Sequence, residues 1–107
     1  MSLIDRAKRG DRDAFDELYA AHWKGVYGFI RAHASNDADA EDIAQETWSK
    51  VWQKMPEYDP GRAQFGTFAR YWAGIMLLRY YHAEKRRKEV EILFVELCRR
   101  FPEMEGE

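Results

Sequence analysis

The chain has 107 residues, of which 46% are hydrophobic and 34% charged, and its formal net charge is −2. This length predicts one domain with a modest core. The single cysteine, Cys98, excludes an internal disulfide and supports neither a metal site nor a redox pair. No apolar run approaches the roughly 20 residues that span a bilayer, and the polar first ten residues do not resemble a secretory signal. We therefore expect a cytoplasmic protein without membrane contact.

Charged and aromatic residues are unevenly distributed along the chain. Residues 36–59 contain seven carboxylates and two lysines, whereas residues 60–88 contain seven basic residues and one glutamate. The two blocks indicate two surfaces with different partners, although a dipolar solvated surface fits the same pattern. The 4 Trp, 6 Tyr and 6 Phe exceed what so small a core hides, so we expect some rings on a surface that binds a partner.

The hydrophobic pattern predicts helices and no strands. Ser2 is placed to cap a short helix that ends near Gly10, and Asp11 to open a longer helix that runs to about Ala34. The buried face of this second helix is predicted to consist of Phe15, Leu18, Tyr19, His22, Val26, Phe29 and Ile30.

The third predicted helix covers residues 38–55 and follows a turn and N-cap signal at residues 35–37. Acidic residues in its first turns favour the helix start, and Pro56 ends it. Its apolar stripe is predicted to consist of Ala40, Ile43, Ala44, Thr47, Trp48, Val51, Trp52 and Met55.

A loop over residues 56–64, with a turn at Pro60–Gly61, precedes a fourth helix predicted from Phe65 toward Arg87. Its buried face is predicted to consist of Phe68, Ala69, Trp72, Ala73, Met76 and Tyr80. A short amphipathic helix is expected at residues 92–98, before an acidic disordered tail. The predicted fold class is therefore all-α, a compact bundle of about four helices plus a short C-terminal helix.

Residues that carry catalysis or bind metals form no recognisable group. The histidines His22, His33 and His82 have no cysteine or carboxylate at ligand spacing. Gly61 and Gly66 stand alone, which excludes a phosphate-binding loop, and no serine or cysteine lies in a nucleophile context. We expect no enzyme, no catalytic residue, no metal and no cofactor.

A polar patch on the third helix is the first candidate for binding. It lies opposite the apolar stripe on consecutive turns and consists of Glu41, Asp42, Gln45 and Glu46. An ordinary solvated helix face explains the same pattern.

The aromatic segment at residues 65–72 is the second candidate. Tyr71 and the later Tyr81 fall off the buried stripe, and adjacent Tyr71 and Trp72 are not expected to point inward together. At least one ring is thus predicted to stack on nucleic-acid bases, while nearby cations hold phosphates. These cations are Arg70, Arg79 and the run Lys85, Arg86, Arg87 and Lys88. Packing of Tyr71 on a neighbouring helix is the alternative.

The segments GDRDAFDELY, DAEDIAQETW, YDP and FGTFARYW, followed by a basic helix end, resemble region 2 of bacterial sigma factors. The extracytoplasmic-function (ECF) group of the sigma-70 family is the most similar. The resemblance covers about residues 3–88. We therefore expect a region 2 domain at residues 1–88, and a short helix with an acidic tail at residues 89–107.

The resemblance implies a transcription initiation factor that binds RNA polymerase core and promoter DNA. The third helix would dock on the coiled coil of the polymerase β′ clamp through Asp42, Gln45 and Glu46, with Glu41 in the same patch. The fourth helix would recognise and melt the −10 element, and the loop at residues 57–64 would help to hold a base flipped from the non-template strand. The DNA contacts expected are Arg62, Phe68, Arg70, Tyr71, Trp72, Arg79, Lys85, Arg86, Arg87 and Lys88.

Two departures from the family pattern limit these expectations. Gly74 and Ile75 occupy positions where family members commonly carry Arg, Asn or Gln that contact DNA, so weak base readout is expected. A complete sigma factor of this type also has a second helical domain for the −35 element, and the sequence leaves open whether this chain is a fragment or a region 2-only protein. The alternative function is an interaction domain that binds polymerase or a regulator, such as an anti-sigma factor, without reading DNA.

Overall fold

The computed structural model describes residues 1–81 together with Val95 and Arg99. Four α-helices and a short 3-10 turn are found in residues 1–81, none of which forms a strand. The elements are α1 (Leu3–Lys8), α2 (Arg12–His33), α3 (Asp37–Lys54), the 3-10 turn (Met55–Glu57) and α4 (Phe65–Tyr80). The predicted all-α class is thus confirmed.

The predicted C-terminal features fall largely outside this description. They are the domain boundary at residue 88, the short helix at residues 92–98 and the acidic tail. The predicted continuation of the fourth helix to Arg87 is wrong, because α4 ends at Tyr80 and the backbone of Tyr81 is no longer helical. Val95 and Arg99 are helical and exposed. No helix in the described part of the chain is both long enough and apolar enough to cross a membrane.

Side-chain caps begin the first three helices, as predicted. Ser2 Oγ, Asp11 Oδ1 and Asn36 Oδ1 each accept a hydrogen bond from the backbone N–H three residues later, at 3.1, 3.2 and 2.8 Å. Each cap satisfies an N–H group that has no partner inside its own helix. Local chemistry therefore determines where these helices start.

The central helix of the bundle is α4. It packs against both α2 and α3, and every residue from Tyr71 to Leu77 is buried. A helix with neighbours on several sides is apolar all round. In agreement with this rule, α4 carries no charge between Arg70 and Arg79.

The predicted buried faces are correct for α3 and partly wrong for α2 and α4. In α2, Tyr19 was expected in the core but is 41% exposed. In α4, Tyr80 was expected in the core but is 38% exposed, whereas Tyr81 was expected off the buried face but is 5% exposed. Tyr81 is the C-cap, with φ −112° and ψ 29°. The helical period therefore no longer applies at this residue.

The loop between α3 and α4 is held by its own polar contacts. Tyr58 is buried and its hydroxyl donates a hydrogen bond to the Ala63 carbonyl at 2.6 Å. The predicted turn at Pro60–Gly61 is present, and the Gly61 N–H donates to Asp59 Oδ1 at 2.9 Å. These bonds fix the path by which the chain enters α4.

Candidate functional site

The polar patch predicted on α3 lies on the surface. Its four members are all exposed: Glu41, Asp42, Gln45 and Glu46. None of their side chains forms a hydrogen bond or an ion pair with another residue in the range 1–81. The three carboxylates are therefore solvated and open to a basic partner.

Next to this patch, the carboxylate of Asp39 ties the start of α3 to the end of α4. It accepts hydrogen bonds from the Tyr80 hydroxyl at 3.0 Å and the Tyr81 hydroxyl at 2.6 Å. The Tyr81 hydroxyl in turn accepts one from the Ser35 N–H at 3.0 Å. The bond to Asp39, followed by desolvation and the negative charges of Asp39 and Asp42, raises the pKa of Tyr80 to about 12. The two helix ends are thus fixed in relation to each other.

A groove of about 810 Å³ runs between α2 and α3 and borders the polar patch. Glu41 and Gln45 belong to both features. The remaining lining is rich in rings, namely Phe15, Tyr19, Trp23, Tyr27, Trp48 and Trp52. This groove was not predicted from the sequence, although the surplus of aromatic residues predicted exposed rings somewhere on the surface.

Edge-to-face contacts hold four of the six rings of the groove in place. The ring centroids of Phe15 and Trp52 are 5.0 Å apart, and those of Tyr19 and Trp48 are 4.9 Å apart. The Arg12 guanidinium lies over the Trp52 ring, 4.9 Å from its centroid. Such aromatic pairs prefer this geometry, so the surface is formed before any partner binds.

The three rings expected to contact DNA lie in the core. Phe68, Tyr71 and Trp72 are 2%, 0% and 2% exposed. The prediction that Tyr71 or Trp72 would be exposed is wrong, because α4 has neighbours on more than one side. The two rings instead meet edge to face with centroids 5.3 Å apart. Neither ring is open to a base in this conformation.

Gly74 and Ile75 are buried on the same helix. The positions at which family members carry DNA-contacting polar side chains therefore belong to the core of this protein. This burial gives a structural reason for the weak base readout expected from the sequence.

The cations expected to contact DNA are dispersed. Arg62 is exposed in the loop, with its Nε 3.8 Å from Asp59 Oδ2. Arg70 is half-buried at the side of α4, and Arg79 is exposed near its end. The basic run Lys85 to Lys88 lies outside the described residues.

Two lysines that the sequence analysis assigned to no site lie against α4. Lys50 Nζ and Lys54 Nζ are 5.3 and 5.7 Å from the centroid of the Trp72 ring. Sequence position had placed both lysines in the acidic block. Only the packing of α3 on α4 brings them to Trp72.

Comparisons with known proteins bear on this arrangement. The family model described as Sigma-70 region 2 matches residues 18–87. The RNA polymerase sigma factor CarQ of Myxococcus xanthus is 38% identical over 58 residues, which cover 54% of this chain and 33% of the relative. The ECF RNA polymerase sigma factor BldN of Streptomyces coelicolor is 28% identical over 106 residues, which cover 96% of this chain and 40% of the relative.

A third relative is the ECF RNA polymerase sigma factor RpoE of Cereibacter sphaeroides. It is 40% identical over 65 residues, which cover 59% of this chain and 36% of the relative. The chain thus spans between a third and two fifths of the length of these three relatives. No solved structure gives a significant match.

Proposed function

The chain belongs to the sigma-70 region 2 family, within the ECF group, and from this premise we propose that it binds RNA polymerase core and promoter DNA during transcription initiation. It acts as a binding protein, in the cytoplasm where polymerase works. The observation that carries the proposal is the solvated acidic patch on α3, which lies at the positions that the family uses to contact the β′ clamp.

Docking on the polymerase is the better supported half of the proposal. Asp42, Gln45 and Glu46 are exposed on consecutive turns, and their charge suits a basic coiled coil. The aromatic groove continues this surface through Glu41 and Gln45. Interfaces draw most of their affinity from a few buried rings and arginines, so the groove supplies the apolar contacts that an acidic patch alone lacks.

In the second half of the proposal, DNA binding, the contacts are made by exposed cations and not by the buried rings of α4. A buried ring covers about 150–250 Å², so exposing Tyr71 or Trp72 costs on the order of 4–6 kcal/mol. A base stacked on the ring returns only about 1–3 kcal/mol. Phe68, Tyr71 and Trp72 therefore contribute to promoter melting only if the core around α4 rearranges, and the free domain binds single-stranded DNA weakly.

Charge reversal on α3 tests the docking proposal. The double variant Asp42→Lys/Glu46→Lys should weaken binding to core polymerase, or to an isolated clamp coiled coil, by about 2 kcal/mol or more, which is about 30-fold. The matched control is Asp13→Lys/Glu17→Lys, which changes two exposed carboxylates of α2 by the same charge. Titration of both variants, with helicity checked by circular dichroism, measures the effect. Equal losses in the two variants would attribute it to net charge and reject the docking patch.

The burial of Phe68, Tyr71 and Trp72 favours a second candidate function, an interaction domain that binds polymerase or a regulator without reading DNA. Fluorescence anisotropy of the chain bound to core polymerase separates the two candidates. If the chain reads promoter DNA, the complex should bind single-stranded non-template −10 DNA more tightly than the same sequence as duplex. Equal affinity for both forms, with polymerase binding intact, would support the second.

A further inference from the structure

The charge of α3 changes sign along its length. Every charged residue from Asp37 to Glu46 is acidic, whereas the only charged residues from 47 to 54 are Lys50 and Lys54. Lysines four residues apart project from the same side of a helix. The basic surface of the domain therefore begins inside α3, before the loop that separates the two charge blocks of the sequence.

Both ammonium groups lie against the same ring. Lys50 Nζ and Lys54 Nζ are 5.3 and 5.7 Å from the Trp72 centroid, and both side chains are half-buried. Lys54 Nζ also lies 3.5 Å from Glu57 Oε2, whereas no carboxylate within residues 1–81 pairs with Lys50. An indole face holds an ammonium group in position without neutralising its charge.

Helix stability alone does not explain both lysines. A cation in the last turn is favourable because it complements the negative end of the helix, and this accounts for Lys54. The effect falls off within one turn, and Lys50 lies four residues earlier. The Nε1–H group of Trp72 is itself buried and has no hydrogen-bond partner among the described residues.

We propose that Lys50 and Lys54, positioned by Trp72, form a phosphate-contact pair for the backbone of single-stranded promoter DNA. This inference rests on the proposed DNA-binding function and adds to it a contact that needs no opening of the core. Trp72 then serves DNA binding from its buried position, as the platform that orients two cations.

The salt dependence of DNA binding tests the pair. For single strands, each phosphate neutralised contributes about −0.7 to the slope of log K against log salt. The variant Lys50→Gln/Lys54→Gln of the full chain should therefore bind a short fluorescent non-template −10 oligonucleotide with a slope shallower by about 1.4, and more weakly at low salt. Lys50→Arg/Lys54→Arg should keep the slope.

The matched control is Lys24→Gln, because Lys24 also lies over an indole, with its Nζ 5.9 Å from the Trp23 centroid. This variant should bind as the unaltered chain does. An unchanged slope in the Lys50/Lys54 glutamine variant would overturn the inference while leaving the proposed function in place. Absence of salt-dependent binding by the unaltered chain, both alone and in complex with core polymerase, would overturn the DNA-binding function and the inference with it.

Nuclear magnetic resonance locates the contact. Phe substitutions of Trp23, Trp48 and Trp52, one at a time, identify the indole N–H signal of Trp72 by elimination. Addition of the oligonucleotide should shift the Trp72 signal in the unaltered chain and leave it in place in the Lys50→Gln/Lys54→Gln variant. A shift that persists in that variant would show that DNA reaches Trp72 by another route and would reject the lysine pair.

Discussion

Replacing Tyr71 with alanine separates the sequence-based expectation of an exposed ring from the buried ring of the structure. Tyr71 is 0% exposed on the central helix and packs edge to face on Trp72 with centroids 5.3 Å apart. Truncation of a buried aromatic side chain to alanine costs about 3–5 kcal/mol, which includes the cavity left behind. If Tyr71 were exposed, the same truncation would cost less than about 1 kcal/mol of stability and would lower the affinity for DNA instead.

The expected loss is large for a domain of this size. A folded chain of this length has a free energy of unfolding of roughly 5–15 kcal/mol, so Tyr71→Ala removes about 30–50% of a value in the middle of that range. At 4–8 °C per kcal/mol, the midpoint of thermal unfolding should fall by about 12–40 °C. Urea and thermal unfolding, followed by circular dichroism, measure both quantities.

Tyr80→Ala is the matched control on the same helix. Tyr80 is 38% exposed at the end of α4, so its truncation should cost clearly less than that of the fully buried Tyr71. If Tyr71→Ala costs no more than Tyr80→Ala, Tyr71 is not a buried core residue. If Tyr71→Ala also lowers single-stranded DNA binding, the Tyr71 ring is exposed, as helical periodicity predicts.

Three further outcomes are expected. Hydrogen bonding to Asp39 raises the pKa of Tyr80 to about 12. The stability that this bond contributes is therefore complete below pH 10 and is lost as pH rises through about 12. In a pH titration followed by phenolate absorbance, Tyr80→Phe should lose the component near pH 12. Asn36→Ala should lower the free energy of unfolding by about 1 kcal/mol in urea titrations, because it removes the N-cap of α3. Trp23→Ala should weaken polymerase binding about tenfold in titrations with little change in thermal stability, because the ring is 38% exposed in the groove.

Helix starts and the buried stripe of α3 were predictable because they depend on neighbouring residues. The N-caps Ser2, Asp11 and Asn36 act on N–H groups three residues away. The stripe of α3 repeats with the helical period because one side of this helix faces the core and the other faces solvent. Such patterns are complete within a single segment of sequence.

The burial of α4 was mispredicted because one buried face was assumed for a helix that has neighbours on several sides. The sequence contained a signal for the correct answer: eight consecutive uncharged residues separate Arg70 from Arg79. A helix that is apolar all round is a buried helix. Applied to this segment, that rule places Tyr71 and Trp72 in the core together.

The groove between α2 and α3 and the lysines on Trp72 were not predictable from local patterns. Tyr19 meets Trp48 across 29 residues of sequence, and Lys50 meets Trp72 across 22. The relative placement of three helices determines both contacts. Composition indicated that rings would be exposed, but only this placement decides which ones.

The closed core also bears on how promoter melting is divided between this domain and its partner. Exposing one buried ring costs on the order of 4–6 kcal/mol, and one stacked base returns about 1–3 kcal/mol. The free domain therefore lacks a source for the remaining free energy. Docking can supply it if polymerase binds the rearranged domain more tightly than the closed one. Single-stranded DNA should consequently bind the polymerase complex more tightly than the isolated chain, and equal affinities would mean that the rings of α4 take no part.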